Sequence, residues 1–281
     1  MTKLVDIQDL NVTFTTRKEL VHAVRGVSFT MGREKLGIVG ESGSGKTVTG
    51  RSILGLIRPP GRVRARKLFF DGLDMQRADE KRLRQIRGSR ISMVMQDPKF
   101  SLNPVMKVGR QIAEACRIHT RISGAQARFK ALAMLETVRI RDPQRVYNAY
   151  PHEVSGGMGQ RIMIAMMLVS DPDLLIADEP TSALDVTVQL QLLAIVDDLV
   201  TSRGMGLIFI SHDLNLVASF CDRIMIMYAG KVMEICRANE LEKARHPYTR
   251  GLLNCLPRID GGRGDLAVLE RDPAWLEESG D

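Results

Sequence analysis

Three short stretches of this 281-residue sequence carry residue types suited to phosphate chemistry. The first is Gly40-Glu41-Ser42-Gly43-Ser44-Gly45-Lys46-Thr47. Its glycines let the backbone curl so that N–H groups point at an anion, and a helix behind it adds the positive end of its dipole. At this spacing Lys46 reaches toward β- and γ-phosphates and the Thr47 hydroxyl ligates Mg²⁺. The second is Leu174-Leu175-Ile176-Ala177-Asp178-Glu179, an apolar run ending in two carboxylates. Such a strand ends at the carboxyl edge of an open sheet, where Asp178 can hold a divalent cation and Glu179 can polarise a water. The third, Ser155-Gly156-Gly157, opens another helix and forms a second anion nest. A chance glycine turn, a solvated strand end and an ordinary helix cap are the plain alternatives. A phosphate loop and a paired-acid strand in one chain argue against the first two. Two nests for one nucleotide suggest that the second nest serves a nucleotide held by another subunit.

The elements around these motifs follow an α/β order. Alternating residues at 4–7, 11–14 and 24–29 read as strands, and Lys35–Gly40 reads as a buried parallel strand. The loop then opens a helix expected over about Lys46–Leu56. Leu68-Phe69-Phe70 and Ile91–Met95 are further strands. Residues 105–140 have a helical period, with Ser123 as an N-cap before Ala125. A turn is expected at 141–154 and a helix at about 157–169. The strand with the paired acids follows, then a helix near 186–202, a strand at Leu207–Ile210, a helix near 213–220 and a strand pair at 223–235.

Composition narrows the class. Apolar residues make up 44% and charged residues 26% of the chain, an ordinary globular balance. Its 4 cysteines (Cys116, Cys221, Cys236 and Cys255) form no CxxC pair, which argues against a zinc ribbon or a disulfide framework and for a reducing compartment. Lys plus Arg is 40 against 33 Asp plus Glu, a formal charge of +7 that permits anionic partners and singles out none. The first ten residues lack the apolar core of a signal peptide, and no apolar run approaches the roughly 18 residues that span a bilayer. Arg58, Arg62, Arg64, Arg66 and Lys67 are dense, as are Arg82, Arg84, Arg87 and Arg90. A solvated or headgroup-facing surface is the first reading of these; aromatics at 5% do not favour single-stranded nucleic acid.

The order Gly40–Thr47, Gln96, Ser155-Gly156-Gly157, Asp178-Glu179, Ser182-Ala183-Leu184-Asp185 and His212 resembles that of ATP-binding cassette (ABC) ATPases, over about residues 3–258. The resemblance implies an α/β fold: a RecA-like P-loop core with a mixed sheet, an N-terminal antiparallel β-subdomain and an inserted α-helical subdomain. By the same resemblance residues 1–257 are the ATPase domain, with the helical insertion at about 99–155, and 258–281 are a loosely ordered tail. ATP is then bound by Gly40, Glu41, Ser42, Gly43, Ser44, Gly45, Lys46 and Thr47, and Mg²⁺ by Thr47, Gln96 and Asp178. Glu179, His212 and Gln96 carry hydrolysis. Ser155, Gly156 and Gly157 match the signature that caps ATP across a dimer, and Asp185 the acid that links the two sites. Phe14 aligns with the aromatic that stacks on adenine; plain strand core describes it almost as well.

Gln96-Asp97-Pro98, Ser101-Leu102-Asn103-Pro104, Tyr150-Pro151-His152-Glu153 and His246-Pro247-Tyr248-Thr249 resemble the oligopeptide/dipeptide/nickel importer subfamily, in particular its D-type ATPase. The implied protein is a peripheral ATPase on the cytoplasmic face of the inner membrane. It powers uptake of peptides or a related small solute such as a nickel chelate. Its implied partners are a second, non-identical ATPase subunit, two transmembrane permease subunits and, indirectly, an extracytoplasmic solute-binding protein, with no nucleic acid. Gly159 stands where the subfamily usually has arginine, which leaves the signature short of a charge near the partner's ATP. Only Cys255 lies near the region where some relatives hold an iron–sulfur centre, so none is expected. A soluble ABC ATPase acting on DNA or ribosomes is the rival class. Such proteins normally carry a second cassette, coiled-coil insertions or CxxC pairs, all lacking in this sequence. A small-molecule kinase would share the phosphate loop but not Ser155–Gly157 or Ser182–Asp185.

Overall fold

The computed structural model describes residues 3–16, 19–95, 102–182, 184–255, 272 and 275. In chain order the elements are β1 (Val5–Thr15), β2 (Leu20–Met31), β3 (Lys35–Val39), α1 (Lys46–Ile53), β4 (Gly61–Arg64), β5 (Lys67–Phe70), β6 (Leu73–Asp74), α2 (Glu80–Ile86) and β7 (Ile91–Val94). They continue with α3 (Val108–His119), α4 (Gly124–Thr137), α5 (Pro143–Asn148), α6 (Gly156–Leu168), β8 (Leu174–Asp178), α7 (Val186–Arg203), β9 (Gly206–Ser211), α8 (Leu214–Phe220), β10 (Arg223–Tyr228), β11 (Lys231–Arg237) and α9 (Pro247–Asn254). Short 3₁₀ segments lie at Pro151–Glu153 and Ala238–Lys243. Two compact units result: Met1–Gln76 with Ile210–Asp281, and Arg77–Phe209.

In the first unit β1 is the hub of an antiparallel sheet, pairing with β2, β4 and β5. Val5, Ile7, Leu10 and Val12 are fully buried. Each such side chain stabilises the unit by roughly 1.5–3 kcal/mol. The alternation slips between Ile7 and Leu10, where the register shifts and Asp9 takes a left-handed φ of 53°; a bulge there returns Leu10 and Val12 to the core. In the same unit β10 runs parallel to β3 and antiparallel to β11. Leu36, Ile38 and Val39 of β3 are all buried, as expected of a strand covered on both faces. Gly37 is glycine because a Cβ would lie 2.1 Å from Cγ1 of Val217 on α8. Helix α1 stops at Ile53, short of Leu56, because Gly55 turns left-handed with φ 62°.

In the second unit β7 and β8 pair in parallel from Ile91↔Leu174 to Val94↔Ala177, and β9 lies beside β8. An Arg90–Asp173 ion pair at 2.8 Å fastens the starts of β7 and β8. Ile112, Cys116, Leu135 and Ile162, from α3, α4 and α6, have no exposed surface. The helical period at 105–140 is two helices, α3 ending before Thr120 and α4 started at Ser123, the expected N-cap, with a full Ser123–Gln126 capping box. One expectation is corrected here. The turn at 141–154 contains α5, started by Asp142 as N-cap with Pro143 at the first helical position. The tail at 258–281 lies outside the described residues except for Asp272 and Trp275.

Candidate nucleotide site

In the first unit the loop after β3 has the backbone its sequence requires. Gly43 and Gly45 take left-handed φ angles of 81° and 95°. Gly45 is the N-cap of α1, and no side chain caps that helix end. By contrast α2, α4, α5, α6, α7 and α8 are each capped by an Asp or Ser side chain. The Lys46 ammonium donates to the carbonyls of Gly40 at 2.7 Å and Glu41 at 2.8 Å, which draws it across the loop. The cradle is packed from behind. A Cβ on Gly45 would meet the Ala23 carbonyl at 2.5 Å, and one on Gly40 the Met227 carbonyl at 2.1 Å. The Gly230 N–H, in the β10–β11 turn, donates to the Ser44 carbonyl at 3.2 Å. Ala23, Met227 and Gly230 are thus supports that motif reading missed; the Ala229-Gly230 pair signals only a turn. Ser42 is exposed and Thr47 half-buried.

Phe14 lies half-buried on β1, opposite Val21 of β2 and Gly61 of β4. A Cβ on Gly61 would sit 2.7 Å from the Phe14 ring, so Gly61 leaves room for it. His212 follows β9 and is exposed. Next to it Ser211 Oγ accepts the Asp213 N–H at 3.0 Å, and Asp213 caps α8. The buried Cys221 thiol, near Gly37, is pushed up to about 12 by burial, with Lys35 opposing and Asp222 adding.

In the second unit the paired acids end β8. Asp178 is buried and Glu179 half-buried. Glu179 holds φ 47°, a left-handed conformation uncommon for a residue with a Cβ and typical of functional turns. The Glu179 carbonyl accepts the Ser182 hydroxyl at 3.2 Å and its N–H at 3.3 Å, which closes the following turn. Asp185 Oδ1 accepts the Val188 N–H at 3.0 Å and caps α7, so this carboxylate is engaged within its own chain. Ser155 caps α6 through Met158 N–H at 3.4 Å. A Cβ on Gly157 would approach Val188 Cγ1 to 2.9 Å, whereas one on Gly156 would meet nothing within 4 Å. The structure therefore brings Ser155–Gly157 against the helix that Asp185 caps. Gln96 lies outside the described residues.

The loop suits a polyphosphate: left-handed glycines, a helix start with no side-chain cap and a buried lysine converge there. Thr47 in the first unit and Asp178 in the second each carry an oxygen donor of the type Mg²⁺ takes.

These features define the class, and residues 24–182 match the family model described as ABC transporter. The chain belongs to the ABC transporter family. A probable peptide ABC transporter ATP-binding protein of Sinorhizobium fredii is 49% identical over 273 residues, covering 96% of this chain and 81% of that protein. The dipeptide transport ATP-binding protein of Bacillus subtilis is 46% identical over 279 residues, covering 98% and 83%. A solved dimeric ATP-binding cassette in a post-hydrolysis state, bound to ADP and Pi, superposes with a TM-score of 0.75 at 26% identity, covering 83% of this chain and 98% of that one. The α/β fold with an antiparallel N-terminal β-subdomain and a helical part is that of ABC ATPase cassettes.

Proposed function

We propose that the chain is the ATP-binding and ATP-hydrolysing subunit of an ABC importer for peptides or a related small solute. The observation that carries this reading is the Gly40–Thr47 loop, with Lys46 drawn across it and an α1 N-terminus that no side chain caps. ATP is the substrate of that loop, and its γ-phosphate is the group transferred to water. Lys46 balances charge on the β- and γ-phosphates, and the α1 N–H groups hold them. Thr47, Asp178 and Gln96 would hold Mg²⁺, whose charge would offset that of the phosphates. Glu179 accepts a proton from the attacking water, His212 contacts the γ-phosphate, and Phe14 packs on adenine. The left-handed backbone of Glu179 fixes where its carboxylate starts, which suits a positioned base.

Ser155, Gly156 and Gly157 cap the nucleotide of a second, non-identical cassette, and Asp185 lies between the paired sites. Residues 1–257 form the ATPase domain, with the helical insertion at about 99–155. The subunit works at the cytoplasmic face of the inner membrane with two permease subunits and, through them, a solute-binding protein. Among the described residues no helix is long and apolar enough to cross a membrane. The relatives of Sinorhizobium fredii and Bacillus subtilis carry transport names, which favours this reading over action on nucleic acid. The test is ATP hydrolysis by the chain alone and by the chain reconstituted with partner ATPase and permeases. Turnover should rise steeply on assembly. A monomer that matches the full complex, without concentration dependence, would sink the paired-site reading.

A further inference from the structure

A cavity of about 400 Å³ opens in the second unit beside Ser155 and Gly157, and four arginines line it: Arg139, Arg141, Arg145 and Arg161. Asp142 is the one carboxylate in the lining, and its Oδ1 accepts the Arg145 N–H at 3.0 Å as the cap of α5. The four cations are not equivalent. Arg139 pairs with Asp198 at 2.6 Å. Arg161 donates to the Arg139 carbonyl at 3.1 Å and to Gln191 Oε1 at 2.7 Å, a strut from α6 to the end of α4 and to α7. Arg139 itself holds φ 60° just past α4, where glycine is usual. The side chains of Arg141 and Arg145 are exposed and make no hydrogen bond or ion pair with any described residue.

With Arg139 paired to Asp198, the guanidinium groups of Arg141, Arg145 and Arg161 outnumber the one remaining carboxylate, Asp142, and give this cavity a positive field. Guanidinium forks match phosphate oxygens two at a time, and exposed forks keep that capacity. We infer that Arg141 and Arg145 form a phosphate subsite beside the signature, and that it takes the polyphosphate of a nucleotide held outside this chain. The inference rests on the reading that Ser155–Gly157 faces a second cassette's ATP. Arg141 lies between α4 and α5, and Arg145 lies in α5.

The experiment is calorimetric titration of the full-length Lys46→Ala chain with inorganic tripolyphosphate at roughly physiological salt, where loose surface attraction is screened. Lys46→Ala weakens the chain's own phosphate loop and leaves the arginine cavity intact. Saturable binding is expected, weakened roughly tenfold or more by adding Arg141→Gln and Arg145→Gln, and unchanged by adding Arg62→Gln and Arg64→Gln on β4. Affinity that ignores Arg141→Gln and Arg145→Gln, or that falls equally with the β4 pair, overturns the inference. So does an absence of binding, and so does orthophosphate binding as tightly as tripolyphosphate. The proposed function fails on a different readout, the hydrolysis rate of the assembled complex.

Discussion

The Gly40–Thr47 loop and the Ser155–Gly157 turn each offer an anion the start of a helix, yet they are built by opposite means. Helix α1 begins at a left-handed Gly45 with no side-chain cap; Gly45 is backed by Ala23 and Gly230 and Gly40 by Met227, while Gly43 faces open space. Helix α6 begins at Ser155, which caps its own helix, and Gly156 faces open space. The first nest is packed from behind and has no side-chain cap. The second is capped by its own serine, and arginines before and within α5 line the cavity beside it. One chain thus holds one uncapped helix start backed by packing and one self-capped helix start beside exposed arginines.

The comparison breaks first on chemistry. Glu179→Gln should retain ATP binding and slow multiple turnover of the assembled complex by roughly 10²–10⁴-fold. Near-normal hydrolysis would remove Glu179 from the mechanism. Lys46→Ala should act earlier. Loss of a charged contact to phosphate is worth about 1.5–3 kcal/mol, so the ATP dissociation constant should rise by one to two orders of magnitude in calorimetry.

Paired glycine substitutions sharpen the contrast. Gly45→Ala must hold a left-handed Cβ against the Ala23 carbonyl and should cost at least about 2 kcal/mol in chemical denaturation. Gly156→Ala meets nothing and should stay within about 0.5 kcal/mol. Cys221 reports the same difference: buried, with its thiol pushed up to about 12, it stays protonated at pH 8 and resists alkylation. Labelling at Cys221 should quicken in Gly45→Ala and not in Gly156→Ala; equal labelling would mean that the first nest is no more rigid than the second. The smallest effect is expected for Ser155→Ala. It removes a cap whose bond is long, 3.4 Å, and should cost about 0.5–1 kcal/mol.

Much of this was legible from local signals. The buried strand before Gly40, the Ser123 cap and the apolar run into Asp178 state their structure in a few residues each. Other features were hidden because their cause is distant. Helix α2, capped by Asp79, gave too short an apolar period to be seen. Helix α5 was missed although Asp142 and Pro143 mark its start, because it is short; Tyr147 in it packs where a Cβ on Gly109 would lie 2.0 Å away.

By itself the sequence determined where residue types suited to phosphate stand, because glycine spacing, a lysine and paired acids after an apolar strand fix local backbone and charge. Tertiary structure alone decided how those residues are supported. Ala23 and Met227 press on the loop from strands far along the chain, and Glu179 is turned into the left-handed region by the chain around it. Arg141 and Arg145 share a cavity lining with Ser155, and Arg161 in the same lining bonds the Arg139 carbonyl and Gln191. Long-range packing chooses such neighbours, and no short window of sequence contains both sides of the contact.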